Sequence, residues 1–173
     1  MKFRMVFCAL AMAVAPAMAR ADYPEKPVRM IVPAAPGGGA DFVARVIAVP
    51  LGANLGQPVV IENRAGASGT IGAELTAKSA PDGYTLLMAQ STSVTIAPHV
   101  YKKLNYATLT DFAPVTLVAL APNILVVHPN VQANSVKDLI ALAKAKPGAL
   151  NFGSSGSGAP SHLAGEMFKN MAG

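Results

Sequence analysis

The sequence predicts an α/β protein with a mostly parallel sheet and helices on its faces. Three observations carry that expectation. Short apolar, β-rich runs alternate with stretches of helical apolar spacing. Glycine-rich loops stand where strands hand over to helices. Finally, 173 residues with 52% hydrophobic and 13% charged side chains can bury a core, which excludes a disordered polyelectrolyte or a coiled coil. The 15 Gly and 14 Pro follow no three-residue period, so a collagen-like chain is excluded too.

The elements follow in order. Val28 to Pro33 is an apolar run bounded by prolines, suited to a buried strand. After the loop Ala34 to Gly39, residues Ala40 to Leu55 place Phe42, Val43, Val46, Ile47 and Leu51 at helical spacing. Pro50 is expected to kink that helix or end its regular part, and Gly56 to cap it. Pro58 to Glu62 is a second strand, Asn63 to Gly69 a second glycine-rich loop, and Thr70 to Ser79 a short helix. Pro81-Asp82-Gly83 is a turn, because Pro presets φ and Gly accepts a positive one. Tyr84 to Ala89 is a third strand, followed by the polar stretch Gln90 to Thr95 and a region of mixed character to Phe112.

Beyond it, Val115 to Leu120, Ile124 to Val127 and Leu150 to Phe152 read as strands. Between them Ser135 is placed to cap a helix that ends at Lys146, with Asp138 at its third position. Pro160 to Met171 forms the last helix, with Pro in the tolerated first turn. Residues 22–112 thus read as the first part of one β/α domain. Residues 113–173 read as the first part of a second, in which the chain is expected to stop short.

Residues 1–21 read as a cleavable signal peptide. Lys2 and Arg4 precede ten apolar residues, Met5 to Val14, and two small-x-small sites follow. Cleavage is expected after Ala21, with Ala19 as the alternative. Ten apolar residues fall short of the roughly 20 that cross a bilayer, which weighs against a permanent anchor. Cleavage would remove Lys2, Arg4 and Arg20, leaving 11 basic residues against nine acids and a net charge of +2. With no dense basic stripe interleaved with aromatics, no nucleic-acid partner is expected. Cys8 would leave with the signal, so the mature chain would hold no disulfide, thiolate or cysteine metal site. An exported, cysteine-free protein suits a bacterial periplasm.

Three polar loops are the candidate functional features. Gly37, Gly38, Gly39, Ala40 and Asp41 open the first helix. There the first N–H groups lack helical partners and favour a carboxylate or phosphate. A flexible glycine turn with Asp41 as a plain N-cap is the competing reading. The loop Gly153 to Gly158 leads through Ala159, Pro160, Ser161 and His162 into the last helix, and Ser155 and Ser157 add hydroxyls. A low-complexity linker is its alternative. Gln90 and Ser91 stand at the C-terminal end of the third strand, where open α/β sheets hold ligands, unless they form a simple turn.

Enzyme signatures are absent. Neither glycine cluster has the spacing of a nucleophile elbow, a phosphate-binding P-loop or a dinucleotide fingerprint. His99, His128 and His162 lie far apart in sequence without carboxylates at ligand spacing, so neither a metal nor a cofactor is expected.

Taken together the motifs resemble the Bug-type substrate-binding proteins, the extracytoplasmic receptors of tripartite tricarboxylate transporters. The likeness runs through Tyr23 to Arg29, Ile31 to Pro33, Pro36-Gly37-Gly38 with Asp41 and Arg45, and Leu55 to Arg64. It continues through Pro81 to Leu87, Asp111-Phe112, Lys144 to Gly148 and Ser154 to Leu163. The resemblance implies a type II periplasmic binding fold whose two domains close on a ligand. It implies a small di- or tricarboxylate or related acid held by the Pro-Gly-Gly loop and the Ser/Gly-to-His loop, and delivery to integral membrane permease subunits. A monomer without cofactor is expected. Gly158-Ala159-Pro160-Ser161 stands where many members carry Gly-Thr. Two other classes compete: a sensor that presents its bound form to a membrane signalling protein, and an exported serine hydrolase using Ser155 or Ser157 with His162 as base. A fragment without function is the remaining alternative.

Overall fold

The computed structural model describes residues 23–156 and 158–173. The signal segment, both cleavage sites, Cys8 and Ser157 lie outside the described residues.

Three strands, β1 (Val28–Val32), β2 (Val59–Asn63) and β3 (Thr85–Leu87), form one parallel sheet in the order β2-β1-β3. Val28 pairs with Val59 and Val32 with Asn63 on one side of β1, while Met30 pairs with Leu86 on the other. The connection through α1 (Gly39–Leu55) steps from the middle strand to β2, and the next steps back past β1 to β3 in the opposite direction. Right-handed crossovers then require α1 and α2 (Thr70–Ala77) on opposite faces. The parallel, helix-flanked sheet expected from the sequence is therefore present.

Being covered on both sides, β1 is apolar at nearly every position. Val28, Ile31 and Val32 are fully buried. Met30 and Val32 share a core with Ala44 of α1 and with Met88, and Ile47, Leu51, Ile61 and Leu86 pack around it. Arg29 is the exposed exception, and its guanidinium pairs with Glu62 across the ladder at 2.7 Å. Small Ala44 and Ala48 form the buried face of α1, which lets the helix lie close to the sheet.

Two expected helix ends match closely. Gly56 adopts φ 68° after α1, a left-handed conformation that glycine takes without a Cβ clash. Ser135 caps α4 (Val136–Ala145) by accepting from Asp138 N–H at 3.1 Å, and Asp138 reaches back to Asn134 N–H. Pro50 does not end α1, which runs on to Leu55. It lies on the exposed side, where the carbonyl left without its usual donor can bond water.

Three expected strands are absent. Val115–Leu120, Ile124–Val127 and Leu150–Phe152 carry strand-like composition, yet none forms a ladder. A strand exists only against a neighbour, and the described sheet contains β2, β1 and β3 alone. Val115, Leu120 and Ile124 are consequently exposed. Phe152 instead stacks beside His162 of α5 (Pro160–Ala172) and lies under Lys169.

The segment after β3 also differs. The polar stretch at Gln90 opens a helical segment: a wide π-type turn, Thr92–Ile96, continues into α3 (Ala97–Val100). Among the described residues no helix is long and apolar enough to cross a membrane.

Candidate functional site

In a parallel sheet all strands end at one rim, and here the segments that leave it meet. Gly69 sits between the loop after β1 and the segment after β3. A Cβ placed on it would stand 3.3 Å from both Pro33 Cβ and Ser93 Cβ. Ser93 is fully buried and donates through Oγ to Gln90 O at 3.0 Å. Buried Tyr106 donates its phenolic hydrogen to the Ser93 carbonyl. Tyr101 reaches Ser68 Oγ at 3.3 Å. The strand order changes direction at β1, so the crevice between β1 and β3 at this rim is where an open α/β sheet takes a ligand.

The loop after β1 is fixed by a polar cluster. Gly37 N–H donates to Asp41 Oδ2 at 2.9 Å, and Arg45 Nε donates to the same oxygen at 3.0 Å. Asn63 Nδ2 donates to Asp41 Oδ1 at 2.9 Å and to Ala34 O at 3.1 Å. Arg45 Nη2 closes the cluster on Asn63 Oδ1 at 3.3 Å. These bonds, Arg45 foremost, hold the Asp41 carboxyl well below the usual carboxylate range, and Asp41 in turn raises Arg45. Asp41 is therefore not the plain N-cap of the competing reading. Gly38 holds the N-cap position, and Asp41 reaches back from the first turn to the loop. The first helical ladder bond of α1 runs from Phe42 N–H to Gly38 O at 2.9 Å. The N–H groups of Gly39 and Ala40 precede it, at the positive end of the helix.

The Ser/Gly loop is built on similar lines. Ser161 Oγ lies 2.8 Å from Ser155 Oγ and accepts from Ser155 N–H at 3.1 Å. His162 Nδ1 accepts from Gly158 N–H at 3.4 Å, which leaves Nε2 as the ring's donor. Leu163 N–H makes the first ladder bond to Ala159 O, so the N–H groups of Ser161 and His162 precede it. Pro160, at the first helical position, contributes no donor. Gly158 and Ala159 are buried, and Val100 Cγ1 lies 3.8 Å from where a Gly158 Cβ would stand.

The candidate residues thus fall into three groups. Gly37 to Asp41 form one cluster, Gln90 and Ser91 begin the helical segment beside Gly69, and Ser155 with Gly158 to His162 form another. The described hydrogen bonds join members within the first and last groups but do not tie these two loops to each other. Sequence reasoning missed the supporting roles of Asn63, Arg45 and Tyr106. The four-residue spacing of Asp41 and Arg45 on one helix face is the signal that could have found one of them. Of the serine-hydrolase alternative, Ser157 lies outside the described residues, while Ser155 bonds Ser161 rather than His162, whose Nδ1 accepts from a backbone donor. Among the described residues no cluster of His, Cys, Asp or Glu could hold a metal.

Residues 43–173 match the model of the tripartite tricarboxylate transporter family receptor, TctC. The chain belongs to this family. TctC is a family of receptors, not of enzymes. Protein BugT of Bordetella pertussis is 43% identical over 169 residues, covering 97% of this chain and 52% of BugT. A structure of R. palustris Rpa4515 with adipate superposes with a TM-score of 0.80 at 40% identity, covering 87% of this chain and 50% of that one. MatC from Rhodopseudomonas palustris with bound malate gives 0.74 at 31% identity, covering 87% and 51%. The chain spans about half the length of the relatives it matches.

Proposed function

We propose that this chain forms the acid-gripping part of a periplasmic solute-binding receptor that captures a small carboxylate and hands it to the membrane permease of a tripartite tricarboxylate-type transporter. The single observation behind this reading is the entry to α1. The N–H groups of Gly39 and Ala40 stand outside the helical ladder, in a loop anchored by Asp41, Asn63 and Arg45. Backbone donors at a helix start suit a carboxylate, and Asp41 with Arg45 forms a paired, internally satisfied ion pair. Donors that precede the ladder of α5, with the Ser155, Ser161 and His162 side chains, would take the ligand's other end. Family membership and the adipate and malate held by two relatives support a dicarboxylate as the ligand class. The N-terminal segment Met1 to Ala21 would direct export and then be removed.

Calorimetric titration of the chain with adipate, malate and citrate at neutral pH tests this. Saturable, one-to-one binding of at least one acid is expected. Absence of heat with all three and with a wider organic-acid panel would overturn the reading.

A further inference from the structure

The Asn63 side chain uses every hydrogen-bonding group it has beyond the sheet. As the last residue of β2 it pairs in the ladder with Val32, the residue that leads into the loop after β1. Its amide nitrogen donates to Ala34 O of that loop at 3.1 Å and to Asp41 Oδ1 of α1 at 2.9 Å. Its oxygen accepts from Arg45 Nη2 at 3.3 Å. One side chain thereby joins the loop, the helix that follows it and the neighbouring strand. The other Asp41 oxygen fixes Gly37 N–H, two residues before the free donors of Gly39 and Ala40.

We infer that Asn63 is a positioning residue for anion capture: it sets the Pro33-to-Gly38 loop so that the first N–H groups of α1 converge on one point. This rests on the carboxylate-binding reading above. Asn63 does not touch the ligand. It acts through Asp41, whose carboxylate can orient Gly37 N–H only while both oxygens are held. The chemistry requires a side chain that donates twice from one nitrogen and accepts on the other atom. Aspartate at this position would offer two acceptors, facing the Asp41 carboxylate from β2, with Arg45 from α1 as the cation between them. The other charged group at the end of β2, Glu62, is already paired with Arg29 and Arg64.

Amide hydrogen exchange on the ligand-free chain, read residue by residue by NMR, supplies the first test, using Asn63→Ala and Asn63→Asp. Gly37 N–H is expected to exchange at least tenfold faster in both variants. Arg64 N–H, which donates to Val32 O at 2.8 Å beside the substituted position, should keep its protection and so report an intact sheet. Unchanged Gly37 exchange, or equal loss of protection at Gly37 and Arg64, would overturn the inference. Titration with adipate is the second test. Both variants should bind at least tenfold more weakly. Wild-type affinity in Asn63→Ala would also overturn it. Should the unsubstituted chain bind no acid, the functional reading falls and the Gly37 exchange alone decides the positioning role.

Discussion

Gly72 of α2 lies so close to Pro33 that a Cβ on it would stand 2.9 Å from the proline Cβ and 3.0 Å from Arg64 O. The helix, the loop after β1 and the end of β2 touch at this one point, and a methyl group has no room. Gly72→Ala should therefore destabilise the fold by about 1–3 kcal/mol despite alanine's better helix propensity. Denaturant unfolding reads this directly, and a neutral or stabilising effect would show that the contact yields easily.

Tyr106 offers a second probe of the same rim. Its hydroxyl satisfies the buried Ser93 carbonyl, and burial pushes the phenol's pKa upward. Tyr106→Phe keeps the ring and its edge-on contact with Phe112 but leaves that carbonyl without this partner. A loss of about 1–3 kcal/mol is expected. Thermal melts of the two proteins side by side would reveal a matching fall in Tm, and coincident curves would refute it.

Asp41 makes stability depend on pH in a defined direction. Its folded pKa is depressed, so in acid the unfolded chain takes up a proton before the folded one does. Stability from this group is full above the ordinary carboxylate pKa of about 3.9 and drains away as pH falls toward the depressed folded value. Glu62, lowered by Arg29 and Arg64, adds to the same trend. Asp41→Asn should melt lower at pH 7 and show a shallower decline of Tm between pH 4 and pH 2. Parallel Tm curves for the two proteins would contradict the assignment.

Proline at position 39 can delete a single donor. Gly38 holds φ −75° and ψ 167°, a conformation that a residue before proline accepts, and Gly39 begins α1 with open space where a Cβ would go. Gly39→Pro should leave helix content unchanged by circular dichroism and weaken adipate binding about tenfold or more, the effect of losing one hydrogen bond to a charged group. Undiminished affinity would remove Gly39 N–H from the site.

Local chemistry made much of this architecture legible. The apolar run of β1, the glycine after α1 and the Ser135 cap each declare themselves within a few residues, and each is found. Pairing is different in kind. Val115 to Val127 has the composition of strands, but composition does not supply a neighbour, and the segment has no ladder. The helical segment from Thr92 is hidden by its own polarity, since Ser and Thr compete with the helix backbone, whereas here buried Ser93 bonds back to Gln90 O. At the site, glycines announced the loop. The side chains that hold it come from β2 and from one turn into α1, a convergence that only the folded sheet creates.

The placement of β1 in the middle of the sheet has an evolutionary consequence. The loops that follow β1, β2 and β3 leave from one end of the strands, while Val28, Ile31 and Val32 of the middle strand are fully buried. Descendants of such a chain can exchange rim side chains without repacking the interior. Inheritance of the scaffold and divergence of its rim can proceed on separate clocks.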